Sequence, residues 1–207
     1  MKTESTKQKI LKAAQKVFVE EGLKGARMQK IADMAGVNKA MLHYYFKSKD
    51  NLFKKVFESV APIMFTRILQ VLNKDVDLFT KIEQLVDNYL TLLNKNKNIP
   101  ILIITEINRQ PDKFSEIFVN SIQSVGIEPV KILQQDINRE VEKGSIRKIS
   151  AQELIVNTIS LCVFPIAGRK IFKKFTFKNS DEKLDEFLKN RKKTVSEFII
   201  NSIKIKR

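Results

Sequence analysis

The residues best suited to chemistry lie close together. Lys39, Ala40, Met41, His43, Tyr44 and Tyr45 fall within seven positions, with Arg27, Gln29 and Asn38 before them and Lys49 after. No acidic residue lies between Lys39 and Lys49. Such a set recognises a polyanion. A lysine reaches a phosphate or the O6/N7 edge of guanine, Ala40 and Met41 can pack on a thymine methyl, and the phenol groups of Tyr44 and Tyr45 suit phosphate oxygens. Lys49, with the amides at the start of its helix, reads as a phosphate clamp. Arg27 and Gln29 open the preceding helix, where they would touch the opposite strand. His43, the sole histidine, has no Cys or carboxylate partner at ligand spacing and reads as a groove contact rather than a metal ligand. No catalytic residue, metal site or cofactor is expected: the chain has no nucleophile elbow, no phosphate-cradling glycine loop, no HExxH and no paired CxxC.

These side chains need a rigid support, and the local spacing supplies one. Met28, Ile31, Ala32 and Ala35 recur at i, i+3, i+4 and i+7, the buried stripe of a short amphipathic helix. Gly36 stops that helix in the left-handed conformation, and Asn38 caps the next. In the second helix Leu42 and Phe46 repeat the core spacing, which leaves the polyanion-binding residues outward. Two helices across a tight turn form a helix-turn-helix, so the expected partner is a double-stranded DNA operator. The first helix carries Ile10, Leu11, Ala14, Val17 and Phe18 on one face, is capped by Thr3 or Ser5 after a frayed Met1–Glu4, and ends at Gly22. It covers the helix-turn-helix, which is too small to bury its own stripe. Its Lys7, Lys9, Lys12 and Lys16 either sit in solvent or reach phosphates.

The run Ile31-Ala32, Ala35-Gly36-Val37, Leu42, Tyr45-Phe46, Ser48-Lys49 and Leu52 resembles the signature of the TetR family of bacterial transcriptional regulators. The resemblance covers the first quarter of the chain. Arg27 departs from it where the family often has threonine, and His43 where tyrosine is usual. The resemblance implies phosphate contacts at the tyrosine positions. It also implies a ligand-responsive domain, in which a small molecule enters between helices, tilts the connecting helix and changes the spacing of two DNA heads.

Length and charge agree with this. The 207 residues carry 38 Lys+Arg against 23 Asp+Glu, a formal net charge of +15, and nucleic acid is the first candidate partner. A membrane surface is the alternative, but no apolar run approaches the roughly 18 residues needed to span, and no signal-peptide core opens the chain. A cytoplasmic protein with no membrane partner is expected. The single Cys162 excludes an internal disulfide.

The rest of the chain reads as helix. Ser48 opens a long helix reaching Leu72, with Leu52, Phe53, Val56, Phe57 and Val60 spaced for burial and a kink or break expected near Pro62. Val76–Leu93 follows, then a polar loop from Asn94 to Asn98. Ile101–Ile107 could be a strand, but no second strand exists to pair with it, so helix is preferred. Pro111 starts another helix, bent at Gly126–Pro129 and ending at Gly144. Ser150 and Glu153 open a helix through Val163, stopped by Pro165, and the last helix follows Ser180. The expected fold class is all-α, with eight to ten helices and no sheet. An N-terminal helix-turn-helix DNA-binding domain, 1–47, precedes a larger helical ligand-binding and dimerisation domain, 48–207.

Three readings attach to the larger part. Ile155, Ile159, Val163, Leu184, Phe187, Leu188, Val195, Phe198 and Ile199 lie on wide apolar faces of the last two major helices, fit for a monomer's core or for self-association. A single recognition helix reads too few base pairs, so a homodimer with a four-helix interface on a pseudo-palindromic operator is preferred. Candidates for lining an effector pocket are Met64, Phe65, Ile68, Tyr89, Leu93, Ile103, Phe114, Phe118, Val119 and Phe164, which would favour a hydrophobic effector. The basic run Arg169, Lys170, Lys173, Lys174 and Lys178, interleaved with Phe172, Phe175 and Phe177, could bind a membrane or nucleic acid. Packing of its phenylalanines on the core is the preferred reading. The resulting expectation is a DNA-binding repressor released by a small hydrophobic effector. A ligand-independent DNA-binding protein and a basic helical adaptor are the rivals.

Overall fold

The computed structural model describes residues 5–95, 99–109, 111–123 and 128–205. Met1–Glu4, residues 96–98 of the expected polar loop, and Gly126 of the expected bend lie outside the described residues. Among the described residues the chain is all-α, with eleven helices rather than eight to ten. They are α1 Thr6–Gly25, α2 Met28–Ala35, α3 Lys39–Phe46, α4 Lys49–Leu72, α5 Leu78–Lys95, α6 Ile99–Arg109, α7 Pro111–Gln123, α8 Pro129–Glu142, α9 Ala151–Ala167, α10 Arg169–Phe175 and α11 Asp181–Ile203. The one sheet-like feature described is an isolated bridge between Ile146 and Lys204. The chain divides into two compact units: Met1–Phe65 with Ile101–Val125, and Thr66–Pro100 with Gly126–Arg207.

In the first unit the capping chemistry acts where the residues put it. Ser5 and Gln8 form a reciprocal capping box at the start of α1. Gly22 leaves helical geometry at φ 69°, ψ 171°, and one further turn closes through the Ala26 amide on the Gly22 carbonyl. Ile10, Ala14, Val17 and Phe18 of α1 are buried with Ile31 and Ala32 of α2, Leu42 and Phe46 of α3, and Leu52, Phe53 and Val56 of α4. Phe18 and Phe53 meet edge to face at 5.3 Å. The Ser48 hydroxyl accepts the Asn51 amide at 3.1 Å and starts α4. Of the kink or break expected near Pro62, the break is absent: α4 is one helix from Lys49 to Leu72. A proline deletes one backbone donor, which does not by itself end a 24-residue helix.

The second unit has its own core of residues from the end of α4, α5, α8, α9 and α11. Helix α5 begins at Leu78, two residues later than the spacing predicts, because Asp77 caps it and Val76 stays exposed. The Thr80 hydroxyl, 2.6 Å from the Asp77 carboxylate, holds that carboxyl below its usual range. Lys81 and Asp136 form an interior ion pair at 2.7 Å, and Arg139 joins Asp136 from its exposed side, also at 2.7 Å. The strand alternative for Ile101–Ile107 falls, since these residues lie within α6.

Pro165 does not stop α9, which continues to Ala167. The reason is a long-range substitute for the missing donor. Proline at 165 leaves the Leu161 carbonyl, four residues back, without its helical N–H. The Arg191 guanidinium of α11 donates to that carbonyl at 2.7 Å. The actual end comes at Gly168, after which α10 leaves at 66° to α9. A Cβ at 168 would sit 3.1 Å from the Phe164 carbonyl oxygen and 3.2 Å from the Phe172 ring, so the close approach calls for glycine. No single described helix is long and apolar enough to cross a membrane.

Candidate nucleic-acid interface

Helix α3 is a short rod held by two side chains, Leu42 and Phe46, both buried. Behind it Gly36 adopts φ 66°, ψ 36°, which a Cβ would strain, and turns the chain out of α2. Asn38 then caps α3, its Oδ1 accepting the Met41 amide at 2.7 Å. With two anchors on one side, Lys39, Ala40, Met41, His43, Tyr44 and Tyr45 are all exposed. Tyr44 is 82% exposed, and its ring meets that of Tyr45 edge to face at 5.5 Å. A phenol that leaves so much apolar ring in water is placed for a partner rather than for the core.

The flanking residues are more constrained. Arg27 occupies the N-cap position of α2 without a side-chain capping bond and is exposed. Gln29 Nε2 donates to Asp33 at 2.8 Å, so its amide is partly engaged. His43 Nδ1 lies 3.2 Å from the Lys47 carbonyl; a proton on Nδ1 makes this a hydrogen bond and leaves Nε2 as acceptor. Lys49 is turned inward: its ammonium donates to the Lys24 carbonyl at 3.1 Å and the Ala26 carbonyl at 3.0 Å. It therefore ties the end of α1 to the start of α4, and one of its three protons remains for a phosphate. Lys47 is a cation that sequence reasoning missed. It is exposed at the exit of α3, in the left-handed region at φ 58°. The signal was a basic residue just past a helix whose other face reads as DNA-facing.

The remaining site candidates separate by burial. Leu184, Leu188, Val195 and Ile199 are buried in the core of the second unit, and Ile155, Val163 and Phe187 pack partly against it. Four of the nine expected dimer residues thus serve the protomer's own interior, because an apolar stripe on α11 is consumed by α5 and α9. Ile159 and Phe198 stay exposed, as does Val156, which the spacing did not single out. Of the effector candidates, Ile68, Tyr89 and Leu93 pack in or against the core of the second unit. Burial pushes the Tyr89 phenol up to about 12. Ile103 is half-buried and Val119 exposed in the first unit. Phe164 is a correction: it is 67% exposed, edge-on to Phe172 of α10, and lines no interior. The side chains of Met64, Phe65, Phe114 and Phe118 lie outside the described residues.

Comparison with known proteins returns regulators. The signature of the bacterial regulatory proteins of the tetR family matches residues 10–56. Over 55 residues the chain is 47% identical to the HTH-type transcriptional repressor NicS of Pseudomonas putida, a stretch that spans 27% of this chain and 26% of NicS. It is 28% identical over 151 residues to the HTH-type transcriptional regulator YvdT of Bacillus subtilis, covering 72% of this chain and 76% of YvdT. The fold is similar to that of the transcriptional regulator FadR of Bacillus subtilis, crystallised with stearoyl-CoA. The TM-score is 0.67 at 16% identity, over 93% of this chain and 96% of FadR.

Proposed function

Since this chain belongs to the TetR family of bacterial regulatory proteins, we propose that it is a homodimeric repressor that binds a pseudo-palindromic operator and releases it on binding a small hydrophobic effector. It is a regulator, not an enzyme. The observation that carries the DNA-binding half is the anchoring of α3 by Leu42 and Phe46, which leaves Lys39, Ala40, Met41, His43, Tyr44 and Tyr45 free to enter a major groove. In this reading Tyr44, Tyr45, Lys47 and Arg27 hold phosphates, Lys39 and His43 reach base edges, and Ala40 and Met41 sense thymine methyls. Gln29 and Asn38 border the backbone contact. Lys49 holds the α1–α4 junction and adds one proton to a phosphate. Residues 1–47 form the reading head and residues 48–207 the effector-binding and dimerisation part.

Pairing of two copies places two α3 helices one helical turn or a multiple apart on the duplex. Val156 and Ile159 of α9 with Phe198 of α11 are the exposed apolar groups that support this pairing. Sedimentation of Phe198→Asp tests it, with a shift toward monomer expected and an unchanged dimer sinking this surface. The effector half rests on the family and on FadR, whose structure holds stearoyl-CoA. An apolar effector acts by binding two head spacings unequally. The deciding experiment is selection of duplexes from a random DNA library at low and at physiological salt, because salt strips the sequence-independent phosphate attraction. Enrichment of an inverted repeat at physiological salt is expected. Binding that vanishes with salt and enriches nothing would return the +15 charge alone as the explanation. A ligand-independent regulator would enrich the repeat but keep it when apolar ligands are added.

A further inference from the structure

The basic segment after α9 sorts its side chains by direction. Phe172 and Phe177 pack against the core of the second unit, and the Phe177 ring lies 5.2 Å from that of Phe187. Ile171 and Phe175, four residues apart on α10, are 65% and 85% exposed. The cations divide in the same way. Arg169 and Lys173 are half-buried and paired, with Asp185 at 3.9 Å and Asp181 at 2.6 Å. Lys170 and Lys174, on the stripe beside Ile171 and Phe175, are exposed and have no ion-pair partner among the described residues. The preferred expectation from sequence, phenylalanines on the core and lysines in water, therefore holds for Phe172, Phe177 and the exposed Lys170, Lys174 and Lys178, and fails for Phe175.

We propose that the outer face of α10 docks on an anionic phospholipid surface, with Ile171 and Phe175 entering the interface and Lys170 and Lys174 on the headgroups. Three features favour lipid over another occupant. No acidic residue lies between Arg169 and Lys178, so a second copy placed two-fold on this face would bring cations against cations. Ile171 and Phe175 leave 65% and 85% of their surface in water, and a bilayer accepts such projecting side chains where a folded partner needs a complementary hollow. Apolar groups flanked by unpaired lysines are the composition of an interfacial helix. With two residues inserted, the attachment is reversible and the protein stays available to DNA.

The chain has no tryptophan, so Phe175→Trp installs a single reporter at the proposed contact. The full-length variant is mixed with vesicles of phosphatidylcholine containing phosphatidylglycerol, and separately with pure phosphatidylcholine, in the presence of duplex DNA that occupies the reading head. A blue shift, quenched by brominated acyl chains, is expected with the anionic vesicles alone. Adding Lys170→Glu and Lys174→Glu lowers the partition about thirtyfold or more, the weight of two interfacial lysines. Val130→Trp, exposed on α8 and away from α10, stays unshifted. The proposal is overturned if the Phe175→Trp emission ignores anionic vesicles or if the charge-reversed variant partitions equally well. A vesicle-independent shift that grows with protein concentration would also overturn it and make a second copy the occupant. Retained duplex binding by every variant reports the fold, so failure here leaves the DNA-binding reading untouched.

Discussion

Replacing Arg191 with methionine isolates the contact that carries α9 through Pro165. The Arg191 guanidinium donates to the Leu161 carbonyl at 2.7 Å, and a hydrogen bond from a charged donor contributes roughly 1.5–3 kcal/mol. Two effects of known sign surround it. The guanidinium lies 5.7 Å over the Phe187 ring, worth about 0.5–1 kcal/mol. Against this, Arg191 Nε is buried without a hydrogen-bond partner, and burial lowers the Arg191 pKa. Methionine keeps the apolar stem and removes all three effects, so a net loss of about 1–2 kcal/mol is expected. Pro165→Ala restores an N–H four residues beyond Leu161, giving that carbonyl a helical partner. In that background Arg191→Met should cost about 1 kcal/mol less, the coupling of one carbonyl to two alternative donors. The assay is urea denaturation followed by helical circular dichroism for the four proteins of the cycle, at one protein concentration because the proposed self-association would shift the midpoint. A coupling energy below about 0.5 kcal/mol would refute the reasoning, and Arg191 would then contribute only through burial and its Phe187 ring contact within α11.

Tyr44→Ala removes a side chain that is 82% exposed, so the melting temperature should hold. Operator affinity should fall roughly thirtyfold, from about 1 kcal/mol per lost phosphate bond in each of two heads, as read by fluorescence anisotropy; an equal loss of stability would mean a structural role. Lys49→Met severs two carbonyl bonds between α1 and α4 and should cost about 1–2 kcal/mol in denaturation, whereas a pure phosphate clamp would lower affinity and leave the melt alone. Gly36→Ala places a Cβ at φ 66° and should destabilise by about 1 kcal/mol, with duplex binding falling in parallel; an unchanged melt would contradict the left-handed turn. Burial pushes the Cys162 thiol up to about 12 from 9.0. Between those values the unfolded thiol has lost its proton and the folded one has not, so the contribution is complete below about pH 9 and falls away as pH rises toward 12. The slope approaches about 1.4 kcal/mol per unit. Alkaline melts of Cys162→Val should be flatter than those of the parent, and parallel curves would remove the effect.

The reading head is legible because its determinants are local. The spacing of Met28, Ile31, Ala32 and Ala35, the stop at Gly36 and the cap at Asn38 act within one or two turns, so residue types alone define two helices and the outward face between them. Local chemistry also placed the starts of α4, α9 and α11, each at a serine whose hydroxyl accepts an amide three residues on. What tertiary structure decided is which of several equally apolar faces meets water. Leu184, Leu188, Val195 and Ile199 on α11 are no more apolar than Val156 and Ile159 on α9 or Phe198 on α11. The first four are buried because α5 and α9 lie against them, and the others stay exposed. The same holds for α10, where spacing could not tell the phenylalanines that anchor it from the one that projects. Polar pairing across sequence was out of reach for the same reason. Lys49 meets carbonyls 25 and 23 residues away, and Arg191 repairs a helix 30 residues back. A hydrogen bond of that span depends on where packing sets two helices side by side, which hydrophobic periodicity does not encode.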